Sequence, residues 1–157
     1  MRKRTKRKVY GLYNPITIAI TGAAVSHGPE VQQLDTGEVS ALESLRTGAA
    51  VEEEVHLLSV MTAISAVIAY KVGMLEPRLM AQKAFQALDS IEERHKRTGR
   101  WGASGEELTT LREMYQYHDA QRAMVARSVY EKAVVSAKEV LQNPVRRRKV
   151  LYGKEKP

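Results

Sequence analysis

The sequence predicts an all-α protein: a four- to five-helix bundle with a long C-terminal helix and basic terminal arms. Three observations predict it. Apolar residues recur at three–four spacing, and no stretch shows the strict alternation of a half-buried strand. Helix punctuation brackets the apolar segments, with Asn14-Pro15, Glu52-Glu53-Glu54, Glu76-Pro77 and Ser104 at starts and Gly48, Gly73 and Gly99 at stops. Residues 106 to 142 contain neither proline nor glycine, so nothing local interrupts a helix there.

In chain order, residues 1–9 form a basic N-terminal arm, too charged to pack and expected to be disordered alone. Residues 10–143 read as a single helical domain, and residues 144–157 as a basic C-terminal arm. A short apolar helix is expected from Pro15 to about Val25, because asparagine caps well and proline suits the first helical position. His27-Gly28-Pro29 breaks it. A second segment spans about Pro29 to Arg46, where Thr36-Gly37 divides a short turn from a proper helix starting at Glu38, and Gly48 closes it as a left-handed cap.

Three carboxylates, Glu52 to Glu54, open the third segment, where acid complements the unpaired N–H groups of a first turn. From Val55 to Val72 apolar residues surround this helix instead of lining one stripe, which predicts the central helix of the bundle. Its longest uncharged run, Leu57 to Tyr70, is shorter than the roughly 20 residues a membrane span needs, so no membrane partner is expected. In the next helix Met80, Ala84, Ala87, Leu88, Ile91 and His95 share a face. Ser104 then caps the last helix, with Glu107 at the reciprocal capping-box position. Running from Gly105 to about Gln142, that helix would be about 55 Å long, so it bends or projects. Asn143-Pro144 ends it.

At 157 residues, with 43% hydrophobic and 27% charged, the chain suits one globular domain with a real core. It has no cysteine, which excludes disulfides and Cys-ligated metals and suits a reducing cytoplasm. Its net charge of +7 is unevenly placed. Arg2, Lys3, Arg4, Lys6, Arg7 and Lys8 give the first eight residues +6, and Arg146, Arg147, Arg148, Lys149, Lys154 and Lys156 against Glu155 give the last fourteen +5. Residues 9 to 143 therefore carry −4. The body is mildly acidic and the cations are terminal, unlike a globular domain with one basic face.

The adjacent His118-Asp119 resembles the pair of the metal-dependent HD phosphohydrolases, whose site also needs a further histidine and a distant aspartate. The only aspartates here are Asp35, Asp89 and Asp119, so no downstream ligand closes such a site; His95 and His56 are the remaining candidates. The expected reading is structural. Leu111, Met114, Tyr115, His118, Gln121, Arg122 and Val125 follow one helix face, whose core stripe turns polar for two turns. Buried polar groups must be paired, and a paired network fixes which helices pack together. Asp119 can meet Arg122 at i, i+3. The same side chains could instead form a partner surface. The Gly99–Gly105 stretch lacks a preceding strand and a P-loop lysine, so it reads as a helix connection with Trp101 covering the core end, or as an exposed anchor for a partner. No catalytic arrangement, cofactor or metal ion is expected.

The arms carry the functional signal. Tyr10 and Tyr13 follow the first cationic run and Tyr152 the second, a composition suited to phosphate backbones and stacked bases. The expected nucleic-acid-binding residues are Arg2, Lys3, Arg4, Lys6, Arg7, Lys8, Arg146, Arg147, Arg148 and Lys149.

Tyr13-Asn14-Pro15 behind a basic start, Ala41 through Gly48, Thr98-Gly99-Arg100 and Tyr117 through Gln121 together resemble a group of small helical proteins encoded in phages and prophages of proteobacteria. The group brings no activity with it. The resemblance implies the cytoplasm of a bacterial host and a non-enzymatic accessory role. Two expectations follow. In one, the protein associates with nucleic acid or a nucleoprotein complex through its arms. In the alternative, it is a protein-interaction module that modulates a host enzyme or defence complex, or self-associates along its long helix.

Overall fold

The computed structural model describes residues 29–153, with side-chain surroundings given from Thr36 onward. The N-terminal basic arm, the helix expected from Pro15 to Val25 and residues 154–157 lie outside the described residues. Within them the chain forms six α-helices and no strand: α1 (Pro29–Thr47), α2 (Glu52–Val72), α3 (Leu75–Thr98), α4 (Gly105–Met124), α5 (Arg127–Gln142) and α6 (Pro144–Tyr152). The fold is all-α.

The all-round apolar helix is central, as its sequence requires. Val55, Leu58 and every residue from Met61 to Ala69 are buried, and the other five helices all pack on α2. Its 21 residues are long and apolar enough to cross a membrane by length and composition, and protein buries 61% of its most apolar stretch. Gly73 and Gly99 stop α2 and α3 at φ of 83° and 72°, a region that side chains other than glycine's rarely enter. At Gly73 the turn back into α3 takes two residues.

Helix α1 does not divide at Thr36-Gly37; it runs unbroken through both. A mid-helix glycine costs only about 1 kcal/mol. Burial of Ala41, Leu42 and Leu45 one turn later holds the helix on α2 and outweighs it.

The largest difference lies in the long helix. It stops at Met124, passes through extended backbone at Val125 and Ala126, and restarts at Arg127. The break has a tertiary cause. On α4 the buried residues are Leu108, Leu111, Met114, His118, Gln121 and Arg122. Continuing that phase would send Lys132, Ser136 and Glu139 into the core, whereas Tyr130, Ala133, Ala137 and Val140 are the apolar set, one position later. A straight helix cannot bury both stripes. Interrupting it sacrifices a few backbone hydrogen bonds at about 1 kcal/mol each. In return it folds α5 back along α2, burying Tyr130 and Val140 at about 1.5–3 kcal/mol apiece.

The C-terminal arm is also corrected in part. Residues 144–152 are a docked helix. Asn143 ends α5 and caps α6, its Oδ1 accepting from the amides of Val145 and Arg146 at 3.0 and 3.3 Å, with Pro144 at the first helical position. Val150 and Leu151 bury against the body. Arg78 and Gln82 on α3 donate to the Leu151 carbonyl at 2.9 and 2.7 Å, so two side chains fasten the end of α6.

Candidate functional site

The polar stripe on α4 is buried and joins four helices. His118, Gln121 and Arg122 are almost fully enclosed, as are Ser65 on α2 and Glu38 on α1. Ser65 donates to Gln121 Oε1 at 2.6 Å, and Gln121 Nε2 returns a bond to the Ser65 carbonyl at 3.3 Å and reaches Met74 Sδ at 3.8 Å. Arg122 donates to Glu38 Oε2 at 2.8 Å across 84 positions of sequence. His118 Nε2 lies 3.2 Å from the Tyr130 hydroxyl on α5 and 3.6 Å from Glu38 Oε1. The two oxygens of one carboxylate thus meet Arg122 and His118, tying α1 to α4, while Tyr130 brings in α5.

Burial holds the His118 ring well below the usual imidazole range, and the nearby Arg122 charge acts in the same direction. The Glu38 carboxylate opposes both, but Arg122 already compensates its charge. The ring is therefore neutral near pH 7. Its Nδ1 is buried with no hydrogen-bond partner among the described residues, which assigns the proton to Nε2, facing the hydroxyl and carboxylate oxygens. A bare lone pair at Nδ1 costs less than a bare N–H there.

Asp119 faces the other way. Its side chain is 54% exposed against 1% for His118, so the adjacent pair cannot converge on one ion. Asp119 approaches Arg122 at 3.8 Å, a weaker contact than the one Glu38 makes. Among the described residues no three His, Cys, Asp or Glu side chains are placed to hold a metal. His95 is engaged elsewhere, its ring stacked on Trp101 with centroids 3.8 Å apart and planes within 6°.

Trp101 is half-buried at the edge of the core in the connection between α3 and α4. Its backbone bridges to Ala50, and the next residues meet the end of α1: Ala103 N–H donates to the Leu45 carbonyl at 3.1 Å. A Cβ at Gly102 would stand 3.4 Å from the Cα of Gly48, so the two connections pass close to each other. Arg94 locks the junction, donating to the Gly102 carbonyl and clasping both Glu107 oxygens at 2.7 and 2.9 Å. Glu107 in turn accepts from the Ser104 amide, and Ser104 Oγ from the Glu107 amide. The Arg94 guanidinium holds the Glu107 carboxyl below the usual carboxylate range. An ionised side chain thus occupies the α4 N-terminus, where a bound phosphate would have to sit.

The four cations of 146–149 separate on α6. Arg147 turns inward: its guanidinium lies over the Phe85 ring, 4.9 Å from the centroid, and donates to the carbonyls of Val140 and Leu141 at 3.3 and 3.2 Å. It closes the end of α5. Arg146 is half-buried, with Nε 3.9 Å from Glu139. Arg148 and Lys149 are exposed, and Tyr152 and Val145 share their face, at 56% and 78% exposure. The residues Arg2 through Lys8 lie outside the described residues.

Glu38, Ser65 and Tyr130 escaped the sequence reading. An arginine on a core stripe demands a carboxylate, and that was the available signal; only the packing of α1 says which carboxylate answers. No family model, curated protein or solved structure matches this chain.

Proposed function

We propose that this protein is a non-enzymatic accessory protein of a phage or prophage that associates with nucleic acid or a nucleoprotein complex in the cytoplasm of its bacterial host. The observation that carries the reading is the separation of charge: +6 in the first eight residues and +5 in the last fourteen, against −4 between them. A polyanion is attracted to the ends and repelled by the middle. The buried layer around His118 supports the same view from the other side. Its histidine is neutral and enclosed, its aspartate points away, and its remaining members pair with one another, which is how a packing device behaves.

The test is fluorescence anisotropy with labelled DNA and RNA at low salt, comparing the full chain with one lacking residues 1–8 and one carrying Arg148→Ala and Lys149→Ala. Point substitutions are the right probe at the C-terminal end, because truncation at 145 would remove the buried Val150 and Leu151. The reading expects both changes to weaken binding, and the combined variant to lose most of it. Indifference to both overturns it.

A second reading, a protein-interaction module without nucleic acid, draws on one specific feature. Val72, Leu75 and Leu79, close in sequence around the α2–α3 corner, are about half exposed or more, a concentration of apolar side chains at one corner. A stoichiometric protein partner that survives nuclease treatment, and is lost on Leu75→Ser, favours this reading over the first.

A further inference from the structure

We infer that the outer face of α6 is a preformed contact for single-stranded nucleic acid, in which the Tyr152 ring stacks on a base while Arg148 and Lys149 hold adjacent phosphates. This deepens the proposed function and rests on it.

The helix has an inner and an outer side, with Arg146 half-buried between them. Arg147, Val150 and Leu151 point to the body, whereas Val145, Arg148, Lys149 and Tyr152 fall at i, i+3, i+4 and i+7 on the outer side. On that outer stripe the two cations lie one turn from the aromatic ring, about 5–6 Å between Cβ atoms. The stripe contains no acid, and the Lys149 side chain makes no ion pair among the described residues. Charge complementarity selects a polyanion. The exposed ring narrows it to a single strand, since bases inside a duplex are already stacked on both faces and leave a tyrosine nothing to cover.

The face is held rigid from beneath. Asn143 caps the helix start, Arg147 rests on Phe85, and Arg78 and Gln82 grip the Leu151 carbonyl. Gly153 closes it at φ 80°, a backbone region that favours glycine, with the tip of the Arg78 side chain beside it. A contact on such an element loses little conformational entropy on binding. That distinguishes α6 from a solvated cationic tail.

The full chain is titrated with a short labelled oligothymidylate and with a hairpin duplex of equal charge, by anisotropy across a salt series. Tyr152→Ala is expected to weaken oligothymidylate binding on the order of 10-fold with its salt slope unchanged. Tyr152→Phe keeps the ring and should bind like the natural chain. Arg148→Ala with Lys149→Ala should reduce the single-strand slope by about 1.4. Circular dichroism melts confirm that each variant is folded. Binding of the natural chain with no response to Tyr152→Ala overturns the inference and leaves the proposed function standing, as does an equal loss on hairpin and single strand. Absence of binding to either nucleic acid overturns both. Loss of self-association in Tyr152→Ala, with oligothymidylate binding intact, overturns the inference in favour of a protein contact.

Discussion

Replacing Glu38 tests the buried layer most severely. The Arg122 side chain is 5% exposed and meets Glu38 at 2.8 Å, and the other oxygen of that carboxylate lies 3.6 Å from His118 Nε2. Glu38→Ala strips the compensating charge from an enclosed guanidinium and opens a gap between α1 and α4. Asp119, at 3.8 Å and half exposed, is a poor substitute. Removing one member of a buried ion pair costs about 3–5 kcal/mol, a large share of the roughly 5–15 kcal/mol by which a domain is stable. At about 2–4 °C per kcal/mol for a chain of this size, Tm should fall by about 6–20 °C. Urea titration should show a lower midpoint at unchanged slope. The pair itself is expected to contribute far less than its disruption costs, so Glu38→Leu with Arg122→Met should recover most of the loss. A Glu38→Ala variant within about 0.5 kcal/mol of the natural chain would refute the assignment of Glu38 as the anchor of this layer.

Other consequences are equally direct. His118 is neutral when folded and takes a proton readily when unfolded, near pH 6.5; the unfolded chain therefore binds more protons below that value, and stability falls as pH drops, by up to about 1.4 kcal/mol per unit. The difference in urea midpoint between natural chain and His118→Asn, followed from pH 7.5 to 5.5 (roughly one unit each side of that pKa), should narrow as pH falls; a constant gap contradicts the buried neutral ring. Tyr130→Ala should cost about 3 kcal/mol or more, whereas Lys132→Ala should be nearly neutral, because the break at Val125 places Tyr130 and not Lys132 inside; the reverse order, read by chemical denaturation, would argue for an unbroken helix. Ser104→Ala should lose about 1 kcal/mol through the α4 cap, and a loss below the error of the melt would mean the cap is redundant with the Arg94–Glu107 clasp.

The parts of the fold legible in the sequence are those set by local chemistry. Glycine stops, the Ser104 capping box, the acid-rich start of α2 and its all-round apolarity each have one meaning, and the structure realises all four. Gly37 was ambiguous, since a glycine can divide a helix or merely weaken it, and packing of α1 on α2 decided. The break at Val125-Ala126 carries no proline or glycine, so no local signal announced it. It was written in the phase of the apolar residues, where Tyr130, Ala133, Ala137 and Val140 run one position out of step with Leu111, Met114 and His118. Helix α6 was hidden by its own composition. Four consecutive cations read as a solvated arm, whereas Arg147 spends its charge on Phe85 and two carbonyls, and Val150 and Leu151 supply the buried face. At the polar layer His118, Gln121 and Arg122 could be placed by helical spacing alone. Glu38 could not, because its partner lies 84 positions away and nothing local separates a buried glutamate from a solvated one.

The central claim, that the cationic ends serve a polyanion, is tested most directly by the salt dependence of binding to duplex DNA. Three phosphate contacts from the N-terminal run and two from Arg148 and Lys149 predict a log–log slope of about −4.5. Deleting residues 1–8 should bring the slope to about −2. A slope near zero, or one that the deletion leaves unchanged, would contradict the account.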